Sequence, residues 1–181
     1  MTERHSLPKL DSADCRLQDK VRKLRLLVFD FDAVFTDNKV YVGDDGTERF
    51  CCSRADGLGL RLLEEVGVAP IILSTEKNPV VLKRAEKLNI EARNALEDKA
   101  HALREEAHKR SLNPDQIGYV GNDINDLDCL RLAGLSIVVA DAHKAVLPFA
   151  HFITNTDGGK GAVREICDLV HAIRSEKEII E

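Results

Sequence analysis

The stretch LRLLVFDFDAVFTD, residues 24–37, joins a mostly apolar run to a group of aspartates. The run from Leu24 to Phe31 predicts a strand that is buried on both faces, as in a parallel sheet. Asp30 and Asp32 are two residues apart, so on an extended segment their side chains point the same way and can share one Mg²⁺. Because two like charges at the end of an apolar strand are costly to bury without a cation, the stretch predicts a metal-binding pair.

Beyond this strand, the sequence predicts a β-hairpin followed by a regular alternation of strands and helices. The hairpin joins Val40–Val42 to Glu48–Cys52 through a turn at Gly43–Gly46. The alternation predicts βαβ units with right-handed crossovers, so we expect an α/β fold: a Rossmann-like, doubly wound, mostly parallel sheet with a β-hairpin flap after the first strand. The further predicted strands are 69–73, a weak one near Ile90, 117–120, 135–140 and 152–153, and the predicted helices are 56–66, 78–88, 97–111, 125–133, a short one around Ala145, and 162–173.

Polar and mostly acidic residues follow the predicted strands where each one ends. Ser74-Thr75-Glu76, Gly121-Asn122-Asp123 and Asp141 join the Asp30 pair in this respect. Ligands of such sheets bind outside the carboxyl ends of the strands. The pattern therefore predicts a site for a hard cation at this edge.

Composition limits the classes of partner. The chain has 181 residues, a net charge of -5, two tyrosines, six phenylalanines and no tryptophan. This acidic, aromatic-poor composition argues against nucleic acid as a partner. There is no apolar run of about 18 residues that could span a membrane and no apolar core of a signal peptide near the start, so we expect no membrane association and a cytoplasmic location.

The chain is expected to form one domain. We place an N-terminal tail and lead-in at 1–20, with a loose tail to about residue 10, and a single domain at 21–181. Five cysteines without a CxxC spacing are typical of buried free thiols rather than of a zinc site or a disulfide framework. Of the neighbouring Cys51 and Cys52, one should be buried and the other exposed.

Three local patterns carry little weight alone. A second acidic pair, Asp126-Leu127-Asp128, is interpreted as the solvated face of a helix. Ser74 by itself is more typical of a strand-end turn, and Lys99 by itself of a solvated helix. Their significance depends on the residues around them.

Taken together, the motifs resemble those of the haloacid dehalogenase superfamily. DFDAVFTD at 30–37 is similar to its first motif, Ser74 to the second, Lys99 to the third and GNDIND at 121–126 to the acidic fourth. The resemblance implies a phosphatase in which Asp30 is the nucleophile, Asp32 the general acid and base, Ser74 a phosphoryl ligand and Lys99 a charge partner. It also implies Mg²⁺ bound by Asp30, Asp32 and either Asn122 or Asp123.

Two residues depart from the pattern of that superfamily. Ala33 stands where many relatives have glycine, which restricts the backbone beside the nucleophile. Asn122 stands where phosphatases usually have a third metal-binding aspartate, so the site loses one negative charge unless Asp123 replaces it.

The short gaps between the motifs leave no room for a cap domain. This resembles the capless branch, whose members hydrolyse 3-deoxy-manno-octulosonate 8-phosphate or nonulosonate 9-phosphates. The segment Arg54-Ala55-Asp56-Gly57 and GGKGAVRE at 158–165 also resemble that branch. The resemblance implies a homotetramer acting on a phosphorylated sugar acid, with Thr75, Glu76, Arg54 and Lys160 as candidate substrate-binding residues. For Arg164, a role in starting the last helix is the better interpretation.

Other functions remain open. A non-catalytic oligomerisation domain, related to that of animal sialic acid activating enzymes, is the alternative, although the presence of Asp30, Asp32, Ser74 and Lys99 favours catalysis. A phosphotransferase usually needs a cap that excludes water. Glu76 and Lys77 resemble the nonulosonate class more than the octulosonate class, so we predict a preference for the nine-carbon acid.

Overall fold

The computed structural model describes residues 12–176, and the loose tail expected at 1–10 lies outside them. The described residues form six helices, eight strands and three short 3-10 turns. The strands are β1 Leu26–Phe29, β2 Thr36–Val42, β3 Glu48–Cys52, β4 Ala69–Leu73, β5 Glu91–Arg93, β6 Ile117–Gly121, β7 Leu135–Val138 and β8 Phe152–Ile153. The helices are α1 Ser12–Lys23, α2 Ala55–Glu65, α3 Val80–Leu88, α4 Lys99–Lys109, α5 Leu127–Leu132 and α6 Ala162–Ser175.

Six of the strands form one parallel sheet in the order β5-β4-β1-β6-β7-β8. β1 lies at its centre, with Val28 paired to Ile71 of β4 and to Tyr119 of β6. The chain moves outward from β1 in one direction through β4 and β5, and then in the other through β6, β7 and β8. The strand order therefore reverses between β1 and β6, which is where doubly wound sheets bind their ligands. This confirms the predicted fold class.

Helices cover both faces of the sheet. On one face, α1, α2, α3 and α6 enclose a core that includes Leu27 and Phe29 of β1. On the other face, α4 and α5 pack over Leu26 and Val28 of the same strand. Because successive residues of a strand point to opposite faces, a strand buried on both sides has to be apolar throughout.

The insertions between the strands are small. Only the β2–β3 hairpin and α2 lie between β1 and β4, and only α3 and β5 lie between β4 and α4. The hairpin is a separate two-stranded sheet whose register shifts between Thr36 and Val40. No cap domain interrupts residues 12–176, as predicted.

Several predicted boundaries were wrong in detail. β1 ends at Phe29, because the chain then turns: the carbonyl of Phe31 accepts hydrogen bonds from the backbone N–H groups of Val34, Phe35 and Thr36. Asp30 and Asp32 therefore do not lie on one extended segment. The short helix expected around Ala145 is instead a 3-10 turn at Leu147–Phe149.

The amphipathic lead-in forms α1, which packs against α6 and places Val21 in the core. At its end, the Lys20 ammonium donates to the carbonyl of Gly134. The boundary between the lead-in and the domain, placed at residue 20 from the sequence, stays a prediction. No helix within residues 12–176 is long and apolar enough to span a bilayer.

The cysteines only partly follow the prediction. All five are free, but Cys15 and Cys51 are exposed, while Cys129 and Cys167 are buried. Cys52 is half-buried, so the pair in β3 does point to different environments.

A glycine pair near the end of the chain packs directly onto the turn that follows β1. A Cβ at Gly158 would lie 1.7 Å from the carbonyl oxygen of Ala33, and one at Gly159 would lie 2.3 Å from the Asp37 nitrogen. The Gly159 N–H donates to the Val34 carbonyl, and the Gly158 N–H donates to the Asp141 carboxylate. The segment before α6 thus supports the loop that carries the acidic pair.

We expect Gly158→Ala to lower the free energy of unfolding by about 1–3 kcal/mol or more, because a methyl group has to displace backbone rather than a flexible side chain. Gly57→Ala is the matched control, since a Cβ there meets only the end of the Leu88 side chain, at 3.1 Å. In α2, that exchange should change stability by less than about 1 kcal/mol, because alanine has the higher helix propensity. Urea unfolding measures both, and equal losses would contradict the proposed backbone contact.

Candidate active site

Asp30 follows the last residue of β1 and is held there from both sides. Its backbone N–H donates to the Val120 carbonyl of β6, and its Oδ1 accepts a hydrogen bond of 2.7 Å from the Phe31 N–H. Its side chain is 5% exposed, and because Oδ1 accepts this hydrogen bond, Oδ2 is the oxygen that remains available for an ion pair or a ligand. The chain reverses directly afterwards, and the Thr36 hydroxyl accepts from the Ala33 N–H.

Ala33 has a φ of 56°, in the left-handed region that favours glycine. An alanine in this conformation raises the free energy of the folded state by on the order of 1 kcal/mol relative to glycine. The strain explains why glycine suits this position in similar sequences. The packing of Gly158 against Ala33 helps to hold the conformation.

Lys99 is the first residue of α4 and reaches into the centre of the sheet edge. Asp98 caps the helix by accepting from the His101 N–H, and this turns Lys99 inward. Its ammonium lies 3.0 Å from Oδ2 of Asp30 and 2.5 Å from Oδ1 of Asp126, with only 1% of the side chain exposed. The solvated position typical of a lone lysine is therefore excluded.

Asp126 corrects the sequence interpretation, which assigned it to a solvated helix face. Its side chain is completely buried, whereas Asp128 is exposed, as expected. Oδ1 accepts from the Lys99 ammonium and from the Tyr119 hydroxyl, and Oδ2 accepts from the N–H groups of Asn122 and Asp123. A signal was present, because Asp126 ends the fourth motif, but the DxD pattern obscured it.

The charges of this cluster shift its pKa values. Burial, followed by the nearby charge of Asp126, raises the pKa of Asp30 to about 7, against the opposing effect of Lys99. Burial alone would lower the pKa of Lys99, but Asp30 and Asp126 together raise it. Lys99 therefore stays charged, while Asp30 needs further positive charge to be a full anion at neutral pH.

Ser74 follows β4 and is completely buried. Its Oγ accepts a hydrogen bond of 3.1 Å from the Glu76 N–H, which leaves the hydroxyl hydrogen free to donate. The carbonyl of Ser74 accepts from the Leu96 N–H, so the loop is fixed on both sides of the hydroxyl. Ser74 therefore forms the strand-end turn and also retains a hydroxyl hydrogen for a further contact, although it does not itself line the cavity described below.

A cavity of about 250 Å³ opens at the β1–β6 switch point. It brings together five of the predicted residues with three that were not predicted. The lining residues are Asp30, Asp32, Thr75, Asn122 and Asp123, together with Asn38, Ile124 and Asn125. Asn38 comes from the hairpin, which a local sequence pattern could not place over this edge.

Asp32 lies in this cavity in a strongly acidic environment. Burial, followed by the charge of Glu76, raises its pKa to about 6. Glu48 of the hairpin adds to this effect, while Lys99 opposes it. A carboxyl group with such a pKa can both release and take up a proton near neutral pH.

The remaining predicted substrate-binding residues do not line the cavity. Glu76 is half-buried beside it, where its carboxylate accepts a 2.6 Å hydrogen bond from the Asn78 N–H. Arg54 is exposed at the start of α2. Lys160 is exposed and forms an ion pair of 2.8 Å with Asp157.

Sequence comparisons identify relatives of this chain. A family model for haloacid dehalogenase-like hydrolases matches residues 72–166. The 3-deoxy-D-manno-octulosonate 8-phosphate phosphatase of Yersinia pestis is 36% identical over 152 residues, which cover 83% of this chain and 81% of that protein.

Solved structures show the same likeness. The chain is similar to a putative hydrolase of the same superfamily from Streptomyces avermitilis, at 38% identity and a TM-score of 0.80 over 93% of each chain. It is also similar to the octulosonate phosphatase of Moraxella catarrhalis in complex with magnesium, phosphate and the sugar acid, at 29% identity and a TM-score of 0.85, covering 90% of this chain and 94% of that one.

The order of the strands, the buried Asp30–Lys99 pair and these similarities have one explanation. The chain belongs to the haloacid dehalogenase-like hydrolases, in the capless phosphatase branch that contains the 3-deoxy-D-manno-octulosonate 8-phosphate phosphatases.

Proposed function

We propose that the protein hydrolyses the phosphate monoester of a sugar acid, with Mg²⁺, through a phosphoryl group carried on Asp30. The observation that carries the proposal is the Lys99 ammonium 3.0 Å from Oδ2 of Asp30, because Asp30 lines the cavity together with Asp32. A phosphate monoester is an anion and resists attack by a carboxylate unless positive charge surrounds both. The buried ammonium supplies part of that charge.

The reaction has two steps. The Asp30 carboxylate attacks phosphorus, and the bond between phosphorus and the sugar oxygen breaks as Asp32 gives its proton to the leaving alkoxide. Asp32, now a carboxylate, removes a proton from a water molecule. This water attacks the phosphorus of the aspartyl-phosphate, releasing inorganic phosphate and the free Asp30 carboxylate.

Two residues stabilise the transferring group. The free hydroxyl hydrogen of Ser74 donates to a phosphoryl oxygen, since its own oxygen is already engaged by the Glu76 N–H. Lys99 offsets the charge that Asp30 and the phosphoryl group share. Both side chains are fully buried, so they are in place before substrate arrives.

The donors around the cavity fit Mg²⁺, a hard cation that prefers oxygen ligands. Asp30 and Asp32 would hold it together with Asn122, whose side chain takes part in no hydrogen bond among residues 12–176. The Asp123 carboxylate is less available, because it accepts a 2.7 Å hydrogen bond from the Ile124 N–H. Bound there, the cation supplies the positive charge that keeps Asp30 ionised and offsets the phosphoryl oxygens.

The alternative is a non-catalytic assembly domain. Such a domain has no need of a buried lysine between two carboxylates, because removing these charges from water costs several kcal/mol per ion, which their mutual contact must then offset. We propose that assembly accompanies catalysis, in the homotetramer that the resemblance implies. Val40 and Val42 of the hairpin are 49% and 68% exposed, which leaves an apolar surface for such contacts.

The substrate proposal has two sources. The relatives from Yersinia pestis and Moraxella catarrhalis are named as phosphatases of the eight-carbon acid phosphate, which supports a sugar acid of this class. The Glu76-Lys77 pair resembles the nine-carbon class, and the Glu76 carboxylate lies close enough to Asp32 to raise its pKa. A carboxylate there accepts hydrogen bonds from sugar hydroxyls and repels a carboxylate of the substrate.

Replacing the nucleophile tests the chemistry. We expect Asp30→Asn to lower kcat by roughly 10³-fold or more, because an amide does not attack phosphorus. The matched control is Asp128→Asn, which removes an exposed aspartate, and it should retain full activity. Phosphate release from p-nitrophenyl phosphate measures both, and activity retained in Asp30→Asn would refute the mechanism.

Metal removal tests the cation and its third ligand. Chelation with EDTA should abolish phosphate release, and added Mg²⁺ should restore it. Asn122→Asp adds a charge to the ligand set, so it should lower the Mg²⁺ concentration for half-maximal activity by roughly tenfold. Asn125→Asp adds the same charge to the cavity without a ligand and should have a smaller effect. If Asp123→Asn weakens Mg²⁺ binding while Asn122→Asp does not strengthen it, Asp123 is the ligand.

A comparison of substrates tests the specificity. We predict a higher kcat/KM for a nonulosonate 9-phosphate than for 3-deoxy-manno-octulosonate 8-phosphate, and a smaller ratio of the two in Glu76→Arg. Glu64→Arg, in the last turn of α2, makes the same charge change away from the cavity and should leave the ratio unchanged. A wild-type preference for the eight-carbon acid would overturn the nine-carbon prediction and leave the phosphatase assignment intact.

A further inference from the structure

Tyr119 is a buried phenol for which no role has yet been given. It lies in β6, directly beside β1, and its side chain is fully buried in the core beneath α4 and α5. Its hydroxyl donates a hydrogen bond of 2.6 Å to Oδ1 of Asp126. Burial, followed by the charges of Asp126 and Asp30, raises the pKa of Tyr119 well above its usual value, so the phenol remains a donor.

Asp126 connects the loop of Asn122 and Asp123 to the Lys99–Asp30 pair. Its Oδ2 holds the N–H groups of Asn122 and Asp123, at 2.9 and 3.3 Å, in the loop with the candidate metal ligands. Its Oδ1 holds the Lys99 ammonium, which also contacts Asp30. A cation shared between two carboxylates moves toward the one that attracts it more strongly.

The phenol affects how the Lys99 ammonium is shared between Asp126 and Asp30. Tyr119 donates to the same oxygen of Asp126 that contacts Lys99. A second donor on this oxygen stabilises the buried carboxylate without adding a charge, and it weakens the attraction of Asp126 for the ammonium. The ammonium already lies nearer to Asp126, at 2.5 Å, than to Asp30, at 3.0 Å, so without the hydroxyl Asp126 would draw Lys99 further from Asp30.

We propose that Tyr119 is a positioning residue for phosphoryl transfer: through its hydrogen bond to Asp126, it keeps Lys99 directed at Asp30. This rests on the proposed phosphatase function. Lys99 and Asp30 act on the transferring phosphoryl group and not on the sugar. The contribution of Tyr119 should therefore appear in kcat and be equal for small and large substrates.

Tyr119→Phe removes one oxygen and keeps the ring that fills the core. A hydrogen bond to a buried charged group corresponds to about a tenfold change in rate, so kcat should fall about tenfold for both p-nitrophenyl phosphate and a sugar acid phosphate, with KM within about twofold. The control is Tyr41→Phe, which removes a hydroxyl from the only other tyrosine of the chain, in the exposed hairpin. Unchanged kcat in Tyr119→Phe, or an equal fall in Tyr41→Phe, would overturn the proposal.

A double substitution tests the route through Asp126. In an Asp126→Asn background, Tyr119→Phe should lower kcat by less than about twofold, because the residues act as a unit. A persisting tenfold fall would show that the phenol acts elsewhere, and would overturn the proposal. If the wild-type protein releases no phosphate from any of these substrates, the proposed function fails first, and this inference falls with it.

A measurement on the native sequence needs a variant only to assign its signals. Protein labelled with 3-fluorotyrosine should give two ¹⁹F resonances, one for each tyrosine, which Tyr41→Phe assigns. Addition of Mg²⁺ and beryllium fluoride, an analogue of a phosphoryl group on a carboxylate, should shift the Tyr119 resonance and leave that of Tyr41 in place. A Tyr119 resonance that does not respond when beryllium fluoride inhibits the enzyme would refute the coupling.

Discussion

The structure depends on one buried ammonium held between two carboxylates. Lys99, Asp30 and Asp126 come from α4, the end of β1 and the turn after β6, so one ammonium joins three separate segments through two ion pairs. Removing charges from water costs several kcal/mol per ion, and only close mutual contact offsets this. The cluster therefore defines where the strand ends must lie, and it carries a net negative charge that favours a further cation.

Much of this arrangement follows from local sequence. The apolar runs identify the strands, because a strand covered on both faces has to be apolar throughout, and the acidic residues after them mark the edge where ligands bind. The hydroxyl of Ser74 and the side chain of Lys99 gain their meaning only from residues distant in the chain. Their spacing within a known set of motifs supplied that information.

What local sequence could not give is the environment of a side chain. Asp126 and Asp128 belong to the same DxD pattern. Asp126 is nevertheless buried in contact with Lys99 and Tyr119, whereas Asp128 is exposed. The direction of a short helix decides this, and Gly121 contributes, because a Cβ there would lie 2.6 Å from the Asp126 carboxylate. Likewise, the turn at Phe31–Thr36 brings Asp32 into the cavity by chain reversal rather than by strand alternation.

The contact of Gly158 and Gly159 with the turn after β1 has a consequence for biosynthesis. The loop that carries Asp30 is synthesised early, whereas Gly158 and Gly159, which support it, follow the last strand of the sheet in the chain. α6 follows that segment and closes the face of the sheet formed by α1 and α2. Domains generally fold as units during or after synthesis. A nascent chain can thus form its central strands well before the loop at Asp30 is fixed, so the site at this edge is complete only after Gly158 and Gly159 have been synthesised.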